Sequence, residues 1–247
     1  MQKILGYMRK AITEFDLISD GDKIAVGVSG GKDSLVLLSG LIKLRSFIGI
    51  DYQLVAVTMD PCFGGEFGDY SSVEKLCEQN GVPYILERSR IGEIVFDVRH
   101  EEHPCSLCSR LRRGALHNAA KQAGCNKVAL GHHYNDAVET FLMNLFVEGR
   151  IGCFSPKSFL DRREITVIRP LVFAPEREII RAAKREGLDV VKSKCPADGH
   201  TMREETKRFI SERERLDHGF SDRIFGAMRR AGIDGWGYKE TEGEKSE

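Results

Sequence analysis

No stretch of this 247-residue chain approaches the roughly 18 to 20 apolar residues that a membrane span needs. The most apolar segment, 35–44, is broken by Ser39, Gly40 and Lys43. The N-terminal MQKILGYMRKAITEF scatters charge among its apolar positions and carries no cleavable signal pattern, so a cytoplasmic protein without membrane association is expected. An excess of either charge is also missing. With 37 Lys plus Arg against 37 Asp plus Glu, bulk electrostatics favour no polyanion, and such a partner must be met by a local patch. Internal repeats are absent, and 41% apolar with 30% charged residues excludes disorder and collagen-like sequence. The cysteines do not pair off either. Seven of them without an export signal point to metal ligation or thiol chemistry rather than to a disulfide framework.

What is present is an alternation. Ile4, Leu5, Met8, Ile12 and Phe15 form one apolar stripe at helical spacing. The run Ile24, Ala25, Val26, Gly27, Val28 is short and apolar, as a buried parallel strand is. Strands are then predicted over 52–58, 83–87 and 127–130, with helices over 70–80, 107–123 and 135–148 between and after them. Such alternation implies right-handed βαβ units, an α/β fold with a doubly wound parallel sheet, and ligands beyond the carboxyl ends of the strands. The pattern loosens into an irregular or hairpin excursion over 149–169, and helices are expected near 176–186, 202–216 and 221–231. The length suits one domain over 1–235, with extra N- and C-terminal helices, and a fraying polar tail over 236–247.

Ser29-Gly30-Gly31-Lys32-Asp33-Ser34 lies between a predicted strand and a predicted helix, where backbone N–H groups and the positive helix end converge on an anion. The spacing matches neither the Walker pattern nor the Gly-x-Gly-x-x-Gly loop. A millimolar ligand needs about 4 kcal/mol, whereas one exposed helix end supplies roughly 0.3 to 1 kcal/mol. Lys32, a divalent ion and burial of a base must therefore supply the rest, and Asp33 makes sense as a Mg²⁺ contact. The plainer alternative is a glycine turn with an incidental lysine. The hexapeptide resembles the PP-loop of the N-type ATP pyrophosphatase superfamily at all six positions. That resemblance implies cleavage of ATP between the α and β phosphates, with the loop gripping pyrophosphate while AMP passes to a substrate oxygen.

Pro104-Cys105-Ser106-Leu107-Cys108-Ser109-Arg110-Leu111-Arg112-Arg113 places a Cys-x-x-Cys at a predicted helix start, followed by three arginines and no acid. A helix N-terminus and nearby cations are expected to favour the thiolate, making these cysteines reactive or ligating. Alone, the pair is half a zinc site, a redox pair or chance. Cys195-Pro196 in a later loop adds a third sulfur, one short of a closed four-cysteine site.

Residues 1 to about 185 resemble the TtcA family of tRNA 2-thiocytidine synthetases. The carrying features are Asp20-Gly21-Asp22 before the PP-loop, Cys-Ser-Leu-Cys-Ser-Arg-Leu-Arg-Arg, Gly131-His132-His133 with Asp136, and Arg169-Pro170-Leu171. Departures are Pro196-Ala197-Asp198-Gly199-His200 after the third cysteine and Tyr134-Asn135 after the histidines. The resemblance implies that ATP adenylates the C2 carbonyl oxygen of an anticodon-loop cytidine, a sulfur nucleophile attacks and AMP leaves. It implies a [4Fe–4S] cluster on Cys105, Cys108 and Cys195, with Mg²⁺ and ATP held by Ser29, Gly30, Gly31, Lys32, Asp33, Ser34, Asp60 and His133. It makes Asp33, Arg112 and Asp136 the catalytic set, and it implies tRNA, a sulfur donor (a cysteine desulfurase or free sulfide) and a second copy of the chain as partners.

Several residues keep two readings. His132, His133 and Asp136 line the nucleotide cleft, or Asp136 serves a first helical turn and His132 is a core residue. Asp60 faces ATP or metal, or it serves the Asp60-Pro61 turn. Arg110, Arg112, Arg113, Arg150, Lys157, Arg162 and Arg163 contact RNA, or they form a solvated face. Helix 202–216, with five basic and four acidic residues, reads as a salt-bridged surface. Cys77 and Cys125 read as core residues, and Cys62 and Cys153 lie in predicted loops. Rival functions are adenylation followed by attack of an amine or at another base, and an ATP- or metal-binding module without turnover.

Overall fold

The computed structural model describes residues 1–99, 104–192, 194–197 and 202–238. The sheet has six strands: β1 (Asp22–Gly27), β2 (Tyr52–Asp60), β3 (Tyr84–Arg88), β4 (Lys127–Ala129), β5 (Lys157–Leu160) and β6 (Ile165–Ile168). Their order is β3-β2-β1-β4-β6-β5. All pairings are parallel except β5 with β6. The expected parallel sheet is therefore mixed at one edge. The 149–169 excursion becomes a hairpin whose return strand β6 runs parallel to β4, while β5, joined by a turn too short for a crossover, must run the other way.

Strand residues alternate between two covered faces. Ile24, Val26, Leu54 and Ala56 pack toward a core that includes Met8 and Ile12 of α1 (Gln2–Phe15), Leu37 and Leu41 of α2 (Lys32–Leu44), and Ile179 of α7 (Glu176–Arg185). Ala25, Val55, Val57 and Val128 face Leu116, Ala119 and Ala120 of α5 (Pro104–Gln122). Both faces are buried, which is why β1 reads as an unbroken apolar run. α3 (Ser71–Gln79), a short α4 (Ile91–Glu93) leading into a π-helical stretch at Ile94–Val98, and α6 (Tyr134–Phe146) complete the layers. The α4 segment has no helical periodicity long enough to be read in advance. α8 (Met202–Leu216) and α9 (Phe220–Arg230) lie against α6.

Fraying does not begin at residue 236. Trp236 is fully buried, donates its Nε1–H to the Phe154 carbonyl at 2.6 Å, and lies 5.2 Å from the Phe225 ring and 6.0 Å from Phe15. One large aromatic overrides the polar composition around it. The expected tail over 239–247 lies outside the described residues. Among the described residues, no helix is long and apolar enough to cross a membrane.

Candidate nucleotide and thiol site

The chain runs outward from β1 through β2 to β3 and then returns to β4 on the other side of β1, so the loops after β1 and β4 part at the crevice where such sheets bind ligands. The loop after β1 is Val28 to Gly31, and α2 starts at Lys32. The first N–H groups of α2 lack intrahelical acceptors and face this crevice. Ser34 Oγ donates to the Gly31 carbonyl at 2.9 Å and accepts the Ser29 N–H at 3.2 Å, which fixes the turn. Gly30 has φ +80°, and a Cβ there would stand 2.7 Å from Val191. A side chain at Gly131 would meet the Asp33 carbonyl carbon at 3.1 Å, so glycine lets the loop before α6 press against the start of α2.

Two helix N-termini thus converge on a cavity of about 570 Å³ lined by Ser29, Gly31, Asp33, Ser34, Arg112 and Asp136, among others. At α6, His133 is the N-cap: its Nδ1 accepts the Asp136 N–H at 3.4 Å, while Asp136 Oδ2 accepts the His133 N–H at 2.8 Å. His133 is buried, with Nε2 3.7 Å from Asp33 Oδ1. It therefore braces Asp33 from behind, while the neighbouring His132 lines the cavity. His133, expected among the ATP-holding residues, is thus the buried cap of α6, and His132, whose alternative reading was a core residue, lines the cavity.

Charge is distributed in linked pairs. Lys32 Nζ lies 3.2 Å from Asp33 Oδ2 and 3.0 Å from Glu176 Oε1, and Lys207 of α8 lies 2.8 Å from Glu176 Oε2. Burial works against the Lys32 ammonium, but Asp33 and Glu176 outweigh it and hold its pKa above the ordinary value. Burial likewise opposes the Glu176 carboxylate, yet Lys207 and Lys32 bring it down to about 2. Asp33 Oδ1 is buried without a hydrogen-bond partner. An orphaned carboxylate oxygen beside a phosphate-type loop fits a divalent cation.

Arg203, Thr140 and Phe154 line the cavity without a signal in the sequence, and Arg169 joins them. Arg203 Nη1 reaches Asp136 Oδ1 at 3.0 Å, and its Nη2 reaches Thr140 Oγ1 at 3.2 Å. α8 is therefore more than a salt-bridged surface, because Arg203 and Lys207 turn inward. Arg169 donates its Nε–H to His132 Nδ1 at 3.2 Å and stacks 5.0 Å from the Phe154 ring, which itself lies 4.9 Å from the His132 ring. Burial first, and the Arg169 charge second, keep His132 neutral. Only the Arg169-Pro170-Leu171 resemblance hinted at this wall.

A second cavity of about 210 Å³ shares Ser29, Gly31 and Arg112 with the first and is also lined by Asp60, Tyr70 and Cys195. Asp60 belongs chiefly to the turn: its Oδ1 accepts the Cys62 N–H at 3.0 Å and its Oδ2 the Gly68 N–H at 2.8 Å. Cys105 and Cys108 lie in the first turns of α5, the former exposed and the latter buried. No disulfide joins cysteines among the described residues. The expected lowering of the thiol pKa values is reversed. Burial and the neighbouring Cys195 push Cys105 up; burial pushes Cys108 up, opposed by Arg112 and reinforced by Cys195 and Cys105. The helix-end and arginine fields are outweighed by desolvation and by mutual repulsion of the sulfurs.

Cys195 lines the smaller cavity together with Arg112, which lies one turn after Cys108 on α5. Among the described residues, no three Cys, His, Asp or Glu side chains are drawn together tightly enough to hold a metal ion. In donor chemistry the three thiols fit an iron–sulfur cluster, since the mutual repulsion of three thiolates is what a cationic centre relieves. The remaining cysteines stand apart. Cys77 and Cys125 are buried in the two main cores as read, and Cys153 donates its thiol to the Ala137 carbonyl at 3.4 Å.

A family model described as a PP-loop domain matches residues 4–213. Proteins named tRNA-cytidine(32) 2-sulfurtransferase from Citrifermentans bemidjiense and Pelobacter propionicus are 40% and 44% identical to this chain. The matches span 86% and 83% of this chain and 84% and 77% of those proteins. The solved U34-tRNA thiolase NcsA from Methanococcus maripaludis, with its [4Fe–4S] cluster, shares the fold at a TM-score of 0.73 and 24% identity, over 97% of this chain and 80% of that one.

Proposed function

The chain belongs to the PP-loop family of tRNA-cytidine(32) 2-sulfurtransferases, and on that premise we propose that it replaces the C2 oxygen of cytidine 32 in tRNA by sulfur at the expense of ATP. The observation that carries this reading is the sharing of Ser29, Gly31 and Arg112 between a phosphate-type cavity and one lined by Cys195. Activation and sulfur delivery then act on one base from adjoining walls.

In the first half-reaction the C2 carbonyl oxygen attacks the α-phosphorus of ATP, and the bond to the β-phosphate breaks. Backbone N–H groups at the start of α2 receive the pyrophosphate, and Lys32 adds its positive charge. Asp33 and Asp136 are the carboxylates that would hold Mg²⁺. The neutral His132 and the Phe154 ring offer a flat wall for a base. In the second, sulfur bonds to C2 and the C2–O bond breaks, releasing AMP. Arg112, between the cavities, faces the phosphate charge that grows as AMP departs. Cys105, Cys108 and Cys195 would hold a [4Fe–4S] cluster; with three protein ligands, it supplies one iron with a position for sulfur. Free sulfide supplies that sulfur directly; from a cysteine desulfurase it comes as a persulfide, which two thiol-derived electrons reduce to sulfide level.

The RNA surface is the outer face of α5 with the β5–β6 hairpin. Arg110, Arg113, Arg162 and Arg163 are exposed and, among the described residues, have no ion-paired carboxylate. A chain with no net charge thus gathers unpaired cations beside the cavity mouth. A homodimer would cover the exposed Phe146, Val147 and Ile151, and sedimentation velocity tests it. Nucleoside mass spectrometry of tRNA from cells with and without the protein tests the function. Loss of 2-thiocytidine is expected; an unchanged 2-thiocytidine content would overturn the reading.

A further inference from the structure

The thiol-bearing segment is fastened directly to the nucleotide loop. The Val191 N–H donates to the Gly30 carbonyl at 3.0 Å, and the Val191 side chain fills the space where a Gly30 side chain would stand. Val191 also packs on the main core, so this is a built contact. Cys195 follows four residues later, and Val191, Lys192, Lys194 and Cys195 all line the smaller cavity together with Ser29 and Gly31. Two further ties hold the segment on its far side: Ser72 Oγ donates to the Asp189 carbonyl at 3.3 Å, and Lys194 lies 2.8 Å from Glu66. Neither touches the nucleotide loop.

We propose that Val191 is a positioning residue for Cys195: through its contact with Gly30 it makes the reactivity of the Cys195 thiol depend on whether the PP-loop holds a nucleotide. Gly30 has a left-handed backbone, and its carbonyl is committed to Val191. Phosphates drawn onto the N–H groups of Ser29 to Ser34 reorient the same peptide units whose carbonyl anchors Val191, so a nucleotide that prefers one loop geometry must also prefer one placement of the segment. The contact also gives Gly30 a second reason to be glycine besides phosphate approach. The inference rests on nucleotide binding at the PP-loop and not on the identity of the RNA base.

The test uses the full chain in reduced, metal-free form, with iodoacetamide as probe and α,β-methylene ATP with Mg²⁺ as the nucleotide. Peptide mass spectrometry follows the alkylation rate of Cys195, with Cys77 and Cys125 as internal references. In the wild type, saturating nucleotide is expected to change the Cys195 rate by about fivefold or more, the lower end of typical coupling between sites, while the references stay constant. Val191→Ala, which removes side-chain packing, reduces the ratio; Val191→Pro, which removes the N–H donor, brings it to unity with nucleotide still bound by equilibrium dialysis. A wild-type ratio of unity overturns the proposal. So does a ratio unchanged in Val191→Ala, which reports direct shielding by the nucleotide and needs no native Val191→Pro protein. Absence of nucleotide binding overturns both this proposal and the ATP-dependent reading. Coupling in a protein that leaves tRNA without 2-thiocytidine overturns the substrate reading alone.

Discussion

Lys32 of the nucleotide loop and Glu176 at the first turn of α7 form an ion pair of 3.0 Å, and Glu176 holds Lys207 of α8 on its other oxygen. The phosphate-gripping lysine is thus parked on protein carboxylates, from which ATP must draw it. Lys32→Met removes a charge-assisted contact to phosphate. The expected cost is about 1.5 to 3 kcal/mol, roughly 10- to 150-fold in ATP affinity, measured by equilibrium dialysis and by pyrophosphate release with tRNA. Glu176 keeps Lys207, so thermal unfolding shifts little.

Cys105→Ala, Cys108→Ala and Cys195→Ala should each abolish tRNA thiolation and lower the iron and sulfide content of anaerobically prepared protein. ATP affinity should stay near the wild-type value, because none of the three lines the larger cavity. A variant that retains full thiolation removes its cysteine from the site.

Arg110→Glu combined with Arg162→Glu places acids on the exposed α5 and hairpin surface, outside the lining of the nucleotide cavity. Binding of tRNA should weaken, and the slope of log affinity against log salt should flatten by about 0.7 to 0.9 for each phosphate that the protein no longer neutralises. Filter binding across a salt series gives both quantities. Pyrophosphate release at saturating tRNA should change much less.

Glu139 is 4% exposed on α6, and burial, with Asp136 adding repulsion, raises its pKa to about 7. Its folded-state pKa lies above the unfolded value, so the native state holds the proton more tightly. Stability is then greatest below about pH 4.5 for this group and falls as the pH rises to about 7. Glu139→Gln should unfold at similar urea concentrations to the wild type near pH 5, but be more stable at pH 8 by about 1 to 3 kcal/mol. Equal pH profiles for the two proteins would assign the burial penalty elsewhere.

The nucleotide half of the site was legible because its parts are contiguous. Strand, Ser29–Ser34 loop and helix α2 lie in one stretch, and period and glycine placement specify all three. The Cys105–Cys108 pair and its arginines were legible for the same reason. Arg203 was not, since its partner Asp136 lies 67 residues earlier and its helix alternates charge like any solvated face. Trp236 was hidden by the polar residues around it, whereas the 149–169 excursion, read as irregular or a hairpin, is the hairpin of β5 and β6. The thiol pKa values went the other way because a helix end and an arginine are visible in sequence, whereas burial and a third sulfur arriving from residue 195 are not.

The aromatic cluster around Trp236 joins Phe15 of the first helix to Phe154 and Phe225, and Phe154 forms part of the cavity wall. A chain emerging N-terminus first therefore displays Phe15 and Phe154 as unsealed apolar surface until Phe225 and Trp236 have been synthesised. The wall that Phe154 contributes to the nucleotide chamber is thus backed only once Trp236 has been made.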